Sequence, residues 1–335
     1  IIKTALTGLS FSFFLNHDKE FDYKTLIFST AYALSSCSIF YSQSIMGFEG
    51  MYLLPFALVG IEKIISEKKC ILFILVSSLA FLFEPYAGWV ILLFSLFYFL
   101  YFYSLNIPEN RKEVFLLYLI SVLFIIGLSA VVTLPSRIAL QGTKYSFYFL
   151  PDLFWFNFKD IIHCFYTGVS LKGMFWASTK PFLYAGILPF ILLIAYFLNS
   201  GIPKKERLIS GAFVLILLFS YSWHVLFTIL NGGVAFPAGC IYRFAYIFIF
   251  IFLLISYKSF INFSFHSKYS LTILILIFLS LTCFVLEDVN ADINKNILFF
   301  DLILGILYIF ALIVAKSFHI KEIIFIFVLF LLNCG

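Results

Sequence analysis

The basic residues that lie among apolar and aromatic neighbours are the side chains best suited to chemistry. Lys3, Arg137 and Arg243 lie in or beside long apolar runs, where an ionisable group is costly and marks a functional site by default. A guanidinium binds phosphate oxygens through two hydrogen bonds, and an ammonium supplies a point charge. The three cations predict binding of an anionic ligand. For Lys3 the alternative is a lysine that only snorkels to the membrane surface.

Two carboxylates could act as a general base, which must lie within reach of the proton it removes. Glu49 precedes an apolar run, and Glu84 opens the sequence Glu84-Pro85-Tyr86-Ala87-Gly88-Trp89. Pro and Gly predict a helix break there, and aromatic residues such as Tyr86 favour the membrane interface. A shallow cleft for a lipid headgroup is one interpretation, and an ordinary turn is the other. For Glu49 the alternative is a solvated turn carboxylate.

A second break is predicted between Asn231 and Arg243, where two glycine clusters and Pro237 interrupt the apolar pattern. Arg243 is predicted to begin the next helix, although a cation at a helix N-terminus opposes the helix dipole. That position favours an anionic partner near Arg243 and Asn231. The six cysteines lack metal-ligand or redox spacing, and no zinc-protease or nucleotide-binding motif occurs. The sequence therefore predicts no metal site and no cofactor.

The elements that position these residues are predicted to be membrane helices. Hydrophobic residues make up 63% of the chain, charged residues 12%, and the mean hydropathy is +1.07, whereas a soluble domain has about 25% charged residues. Helices are expected because a helix satisfies its own backbone polar groups in lipid. The fold class is an all-α membrane protein, a polytopic bundle of about twelve transmembrane helices.

Twelve apolar runs are predicted to cross the membrane, each approaching the roughly 20 residues that a crossing helix needs. They are Ile1–Leu15, Thr25–Ile45, Met51–Ile65, Cys70–Phe83, Ala87–Tyr103, Val114–Leu134, Pro181–Leu198, Ile209–Leu230, Ile241–Tyr257, Ser270–Leu286, Ile297–Ala315 and Ile323–Cys334. The first and last are short and are expected to be truncated parts of a longer protein. The predicted division is residues 1–134 with about six helices, a loop over 135–180, and residues 181–335 with about six more.

Basic residues fall in every second gap between these runs. They lie around Lys19, Lys68, Arg111, Lys204, Lys258 and Lys316. The positive-inside rule places these gaps in the cytoplasm, and the other gaps outside. The net charge of +5 then reflects loop anchors next to membrane lipids, and no nucleic acid is expected as a partner.

The gap over residues 135–180 is too long for a simple connection and is predicted to lie outside the cell. Within it, Phe147–Phe158 is apolar and aromatic but is interrupted by Pro151 and Asp152. This pattern indicates an interfacial or re-entrant helix and not a further crossing.

Three stretches resemble the bacterial YfhO family of multi-spanning membrane proteins. They are Lys3-Thr4-Ala5-Leu6-Thr7-Gly8-Leu9-Ser10, the segment from Glu49 through Leu53-Leu54-Pro55 to Gly60-Ile61-Glu62, and the segment from Asn231-Gly232 through Pro237 to Tyr242-Arg243-Phe244. Pro135-Ser136-Arg137 is a weaker fourth match. Ala238-Gly239-Cys240 departs from the family, which usually has polar residues there.

The resemblance implies a fold and activity like those of GT-C membrane glycosyltransferases. Such an enzyme would transfer a sugar from a polyprenyl-phosphate donor to a cell-envelope polymer, such as a teichoic acid, outside the cell. Lys3, Arg137, Arg243, Tyr86 and Asn231 would bind the donor. The catalytic carboxylate would lie upstream of this chain, which leaves Glu49 and Glu84 as weaker candidates. A transporter or flippase for lipid-linked or anionic solutes, and a non-catalytic scaffold for envelope assembly, remain the alternatives.

Overall fold

The described part of the chain is helical. The computed structural model describes residues 1–41, 48–141, 158–167, 181–232, 242–262, 268–287 and 295–318, and the regular elements in these ranges are fourteen α-helices. They are α1 (Ile2–Asn16), α2 (Lys24–Ala33), α3 (Ser36–Tyr41), α4 (Glu49–Glu67), α5 (Ile71–Phe83), α6 (Pro85–Leu105), α7 (Arg111–Gln141), α8 (Phe158–His163), α9 (Ile187–Leu198), α10 (Lys204–Ser222), α11 (His224–Leu230), α12 (Ala245–Ile261), α13 (Lys268–Glu287) and α14 (Lys295–Phe318).

The outside of the bundle is apolar, as expected of a protein surrounded by lipid. On α5 the exposed residues Ile71, Leu75, Leu79 and Leu82 follow one face of the helix, and α7 exposes apolar side chains along most of its length. Within the described residues, three helices are long and apolar enough to cross a membrane: Pro85–Leu105, Arg111–Ala139 and Lys295–Leu312. Four further apolar helices are shorter. The number of twelve crossings stays a prediction.

Helix α12 forms the centre of the bundle. Its residues from Ala245 to Ile255 are almost completely buried, and it packs against α2, α3, α4, α9 and α10. A helix that is hydrophobic on all sides belongs in the interior. The residues just before α12 are therefore held by a rigid central element.

Helix α5 lies very close to both α4 and α6, because glycines face it from each side. A Cβ at Gly60 of α4 would lie 2.6 Å from the Phe73 nitrogen, and one at Gly88 of α6 would lie 2.7 Å from the Phe81 Cα. Small residues allow such close approach between membrane helices. Gly88 was expected to break the helix, but it lies within α6 and serves this packing contact instead.

The described helices largely follow the predicted crossings, with departures in several of them. The run Thr25–Ile45 contains a break between α2 and α3, and the run Ile209–Leu230 is interrupted at Trp223 between α10 and α11. In the run Pro181–Leu198, helix α9 begins only at Ile187. There the Tyr184 carbonyl accepts a hydrogen bond from the Ser36 amide at the start of α3, so a tertiary contact holds the extended segment.

Residues 135–141, which the sequence assigned to the long loop, continue α7 to Gln141. Pro135 lies inside this helix and does not end it. Membrane helices tolerate an internal proline. The short helix α8 follows later in the loop. Residues 142–157, which include most of the predicted interfacial segment, and the last predicted crossing, Ile323–Cys334, lie outside the described residues. The three-part division of the chain stays a prediction.

Ion pairs and hydrogen bonds join gaps that the charge pattern assigned to the same side. Lys68 pairs with Glu113 at 2.5 Å, and Lys258 pairs with Glu206 at 2.9 Å. At the other ends of the helices, Lys3 pairs with Glu49. Loops with the same predicted sidedness therefore meet in space. Which end faces the cytoplasm stays a prediction.

Candidate functional site

Lys3 and Glu49 form an ion pair between α1 and α4. The Lys3 Nζ lies 2.6 Å from the Glu49 Oε1, and the Glu49 side chain is 13% exposed. The pair forms because α1 and α4 pack side by side and run in the same direction from these two residues. Glu49 lies in the first turn of α4, where a carboxylate also stabilises the helix dipole. Glu49 is therefore mostly buried and paired and not a solvated turn carboxylate, whereas the interpretation of Lys3, which is 37% exposed, as a snorkelling lysine stays open.

Tyr246 of α12 connects this pair to the rest of the site. A Cβ at Gly50 would lie 2.6 Å from the Tyr246 hydroxyl oxygen, so the hydroxyl packs directly on the α4 backbone beside Glu49. Tyr246 is also within electrostatic range of Glu84 and Tyr86. Its hydroxyl is buried and makes no hydrogen bond to the residues that the structure describes. Neither does the second oxygen of Glu49, Oε2.

Tyr86 holds Asn231 and Arg243 together through two parts of its side chain. Its hydroxyl donates to the Asn231 Oδ1 at 3.2 Å, and the Arg243 Cζ lies 5.6 Å from the centre of its ring. This second distance is within the range of a cation–π interaction. Asn231 is buried and donates from Nδ2 to the Phe227 carbonyl at 3.2 Å. The amide is therefore fixed from both sides.

Aromatic neighbours fix the turn that carries Arg243. Tyr242 and Phe244 are both buried and pack against the ring of Phe227, with ring centres 5.5 and 5.8 Å away. Phe244 also stacks on Tyr221 at 5.2 Å. Arg243 lies between two inward-facing residues and is only partly buried. The helix begins at Ala245 and not at Arg243, which corrects the expected helix start by two residues.

Glu84 occupies the junction between α5 and α6. Glu84 is both the C-cap of α5 and the N-cap of α6, and its backbone is extended. Pro85 is the first residue of α6. The predicted break after Phe83 is therefore present. Close by, the Trp89 indole donates to the Ile229 carbonyl at 2.8 Å, so α6 and α11 are joined beside the Tyr86–Asn231 contact.

These contacts define one group, the polar cluster, which lies at one end of the bundle. Its members are Lys3, Glu49, Glu84, Tyr86, Asn231, Arg243 and Tyr246. Arg137, the remaining predicted ligand residue, lies on the exposed last turns of α7, a helix that packs on α4, α5 and α6. The contacts that connect the polar cluster run through α1, α4, α6, α11 and α12. The roles of the individual residues stay predictions.

The sequence did not indicate two residues that the structure places in notable positions, Tyr246 and Asp301. A tyrosine in an aromatic-rich helix such as α12 has no distinctive sequence signal. Asp301 is the one carboxylate within the run Ile297–Ala315, which is a signal that could have been used. It is fully buried in α14, and its Oδ2 accepts hydrogen bonds from the Thr167 amide and hydroxyl, at 2.7 and 2.6 Å.

An apolar exterior, a hydrophobic central helix and ionic groups gathered near the helix ends define a helical membrane protein. The family model "Bacterial membrane protein YfhO" matches residues 1–334, and the chain therefore belongs to this family. The resemblance seen in the three motifs is thereby confirmed. No curated protein and no solved structure matches the chain.

Proposed function

We propose that the protein transfers a sugar from a polyprenyl-phosphate donor to a cell-envelope polymer, such as a teichoic acid, on the outer face of a bacterial cell membrane. The observation that carries the proposal is the polar cluster, in which Lys3 and Arg243, 240 residues apart in the sequence, lie at the same end of the bundle. Tyr246 lies between their two groups, because it packs on Gly50 beside Glu49 and is within electrostatic range of Tyr86. Family membership in a class of bacterial membrane proteins is consistent with this activity.

Arg243 is the cation best placed to act on the phosphate of the donor. A transferase of this kind must stabilise the negative charge that develops on the leaving phosphate, and preorganised donors do so most effectively. The guanidinium lies over an aromatic ring, and both chain neighbours of Arg243 are anchored in the interior. Lys3 is neutralised by Glu49 in this structure, so its contribution would be hydrogen bonding more than net charge.

The surroundings of Glu84 favour access from the side. Phe83 and Trp89 are exposed on either side of the α5–α6 junction, so a lipid chain could lie against the bundle there while its headgroup reaches the polar cluster. A polyprenyl donor remains embedded in the bilayer and must approach in this way. Glu84 and Glu49 remain candidates for the group that activates the acceptor hydroxyl.

The test is the Arg243→Ala variant of the full-length protein, expressed in a bacterium that lacks the wild-type copy. We expect sugar incorporation into the envelope polymer to fall at least about 100-fold, as for the loss of one preorganised charge donor, while the amount of protein in the membrane is unchanged. The matched control is Arg111→Ala, which removes an exposed arginine at the first residue of α7 and should keep full incorporation. Normal incorporation by Arg243→Ala would remove Arg243 from the site.

A transporter or flippase is the second candidate, and one observation favours it. The predicted crossing Thr25–Ile45 is broken between α2 and α3, about halfway along its length, and interrupted helices near the midplane are typical of transporters. The hydroxyls of Ser36 and Ser38 are buried there and make no hydrogen bond to described residues. Movement of a labelled lipid-linked sugar across proteoliposome membranes, without sugar transfer, would favour this function and contradict the transferase.

A further inference from the structure

A compact group of metal-ligand side chains lies at the end of α1 opposite to the polar cluster. His17 and Asp18 directly follow α1, and Glu62 projects from α4. The His17 Nε2 lies 3.0 Å from the Glu62 Oε2 and 3.1 Å from the Asp18 Oδ2. One ligand atom of each residue lies within 4.8 Å of the others. None of the three residues takes part in the proposed transfer reaction.

The imidazole is oriented so that its second nitrogen faces the two carboxylates. The His17 Nδ1 lies 2.7 Å from the Phe14 carbonyl oxygen, and a carbonyl only accepts hydrogen bonds, so Nδ1 carries the hydrogen. In the neutral ring, Nε2 then carries no hydrogen and presents its lone pair to the two carboxylates. The side chain is 8% exposed, and Nε2 is buried, with the Glu62 Oε2 and the Asp18 Oδ2 as its polar neighbours.

Three electron-pair donors that face one another repel unless a positive species lies between them. Glu62 is fixed for this role, because its other oxygen, Oε1, accepts a hydrogen bond from the buried Tyr98 hydroxyl. This leaves Oε2 directed at His17. Protein metal sites have the same organisation, in which outer hydrogen bonds fix the tautomer of the histidine and the orientation of the carboxylate.

The separations fit a small divalent ion. An octahedral ion with bond lengths of about 2.1 Å places neighbouring ligand atoms about 3.0 Å apart, close to the two distances given above. One imidazole and two carboxylates favour a first-row transition ion over Ca²⁺, which prefers oxygen ligands alone. Two carboxylates also balance the charge of a divalent ion. Asp18, whose side chain is 63% exposed, leaves one side open to water and to the entering ion.

We propose that His17, Asp18 and Glu62 bind one divalent first-row ion, Mn²⁺ or Zn²⁺, with water in the remaining positions. The ion joins the end of α1 to α4, and through Tyr98 to α6. It therefore fixes the same pair of helices, α1 and α4, whose other ends carry Lys3 and Glu49. Sequence motifs did not predict a metal site, because His17 and Asp18 directly follow α1 whereas Glu62 comes from α4.

The test uses the purified full-length protein in detergent after treatment with a chelator. Addition of MnCl₂ or ZnCl₂ should give one bound ion per chain by titration calorimetry, and the electron paramagnetic resonance signal of free Mn²⁺ should fall by the same amount. Asp18→Asn removes an exposed ligand without disturbing the interior and should weaken binding at least about tenfold. Tyr98→Phe should weaken it about 10–100-fold, as for other outer-sphere partners.

Glu20→Gln is the matched control, since Glu20 is exposed and only two residues from Asp18; it should bind the ion like the wild type. Equal affinity of Asp18→Asn and wild type would overturn the proposal, because the ion would then lie elsewhere. No bound ion in the wild type would also overturn it, and would mean that a proton on Nε2 alone holds the group together.

Discussion

Tyr86 contacts two other members of the polar cluster through different parts of its side chain, and the two contacts can be separated. Tyr86→Phe keeps the ring under Arg243 but removes the hydrogen bond to Asn231, worth about 0.5–1.5 kcal/mol. Tyr86→Leu also removes the cation–π contact, worth about 0.5–2 kcal/mol. We expect sugar incorporation to fall about two- to tenfold in the first variant and further in the second.

The exposed tyrosine Tyr23 provides the control for this series, and Tyr23→Phe should keep the wild-type rate. Equal rates for wild type, Tyr86→Phe and Tyr86→Leu would show that Tyr86 does not position Arg243 for the reaction. A loss that appears only in Tyr86→Leu would assign the effect to the ring alone.

The ion pair of Lys3 and Glu49 gives a prediction about stability. In Lys3→Met the Glu49 carboxylate, which is mostly buried, loses the partner at 2.6 Å, and the unpaired charge destabilises the folded state. Glu49→Gln in the same chain removes that charge. A double-mutant cycle should give a coupling of about 1 kcal/mol, because the Lys3 side chain is 37% exposed and water screens the pair. The measurement is the free energy of unfolding in detergent, and strictly additive effects would contradict the pair.

The sequence identified most of the polar cluster by residue type but could not identify its pairing. Lys3 and Glu49 stood out as ionisable groups next to apolar runs, yet their contact depends on how α1 packs on α4, which no local pattern encodes. The sequence places Glu62 beside Lys63 and close to Lys68, which favours a charge pairing among these three residues. The structure instead directs it inward to His17 and Tyr98, since a helix residue faces its neighbours according to its position around the axis.

At the scale of elements, the packing of α4 on α5 depends on Gly60. A methyl group there would lie 2.6 Å from the Phe73 nitrogen and 2.7 Å from its Cα, and backbone atoms cannot move aside as a flexible side chain can. We expect Gly60→Ala to lower the free energy of unfolding in detergent by about 1–3 kcal/mol, the usual cost of overpacking.

Gly127 of α7 is the matched control, since a Cβ there would have nothing within 4 Å. Gly127→Ala should keep or raise stability by up to about 1 kcal/mol, because alanine favours a helix more than glycine does. If both substitutions changed stability equally, the close approach of α4 and α5 would not be a determinant of the fold.

Hydropathy located most helices because each is a continuous apolar run, but it could not locate their interruptions. The break between α2 and α3 lies in an apolar stretch, and the hydrogen bond from the Ser36 amide to the Tyr184 carbonyl comes from a segment almost 150 residues later. Gly186, with φ of 104°, lies directly before α9, and the apolar pattern did not predict a helix start there either. Such features arise from tertiary contacts with residues far away in the sequence, which the hydropathy of a local stretch does not include.

On the scale of the whole molecule, ionic groups occur at both ends of the same helices. Lys3 and Glu49 lie at the beginning of α1 and α4, and His17 and Glu62 lie near their ends. Because α1 spans 15 residues, or about 22 Å at 1.5 Å per residue, the two groups are separated by most of the hydrocarbon thickness. We therefore expect the proposed site of sugar transfer and the proposed metal site to face opposite sides of the membrane.

The orientation of the molecule can be tested on α7 alone. This helix has 31 residues, or about 46 Å, which exceeds the roughly 30 Å hydrocarbon layer. The positive-inside rule places its Arg111 end in the cytoplasm and its Gln141 end outside.

In a variant without native cysteines, we expect a membrane-impermeant maleimide to label Gln141→Cys in intact cells. Glu109→Cys, an exposed position before the helix, should be labelled only after the membrane is permeabilised. Labelling of Glu109→Cys alone in intact cells would invert the orientation, and would place the polar cluster on the cytoplasmic side, where a transfer reaction outside the cell could not occur.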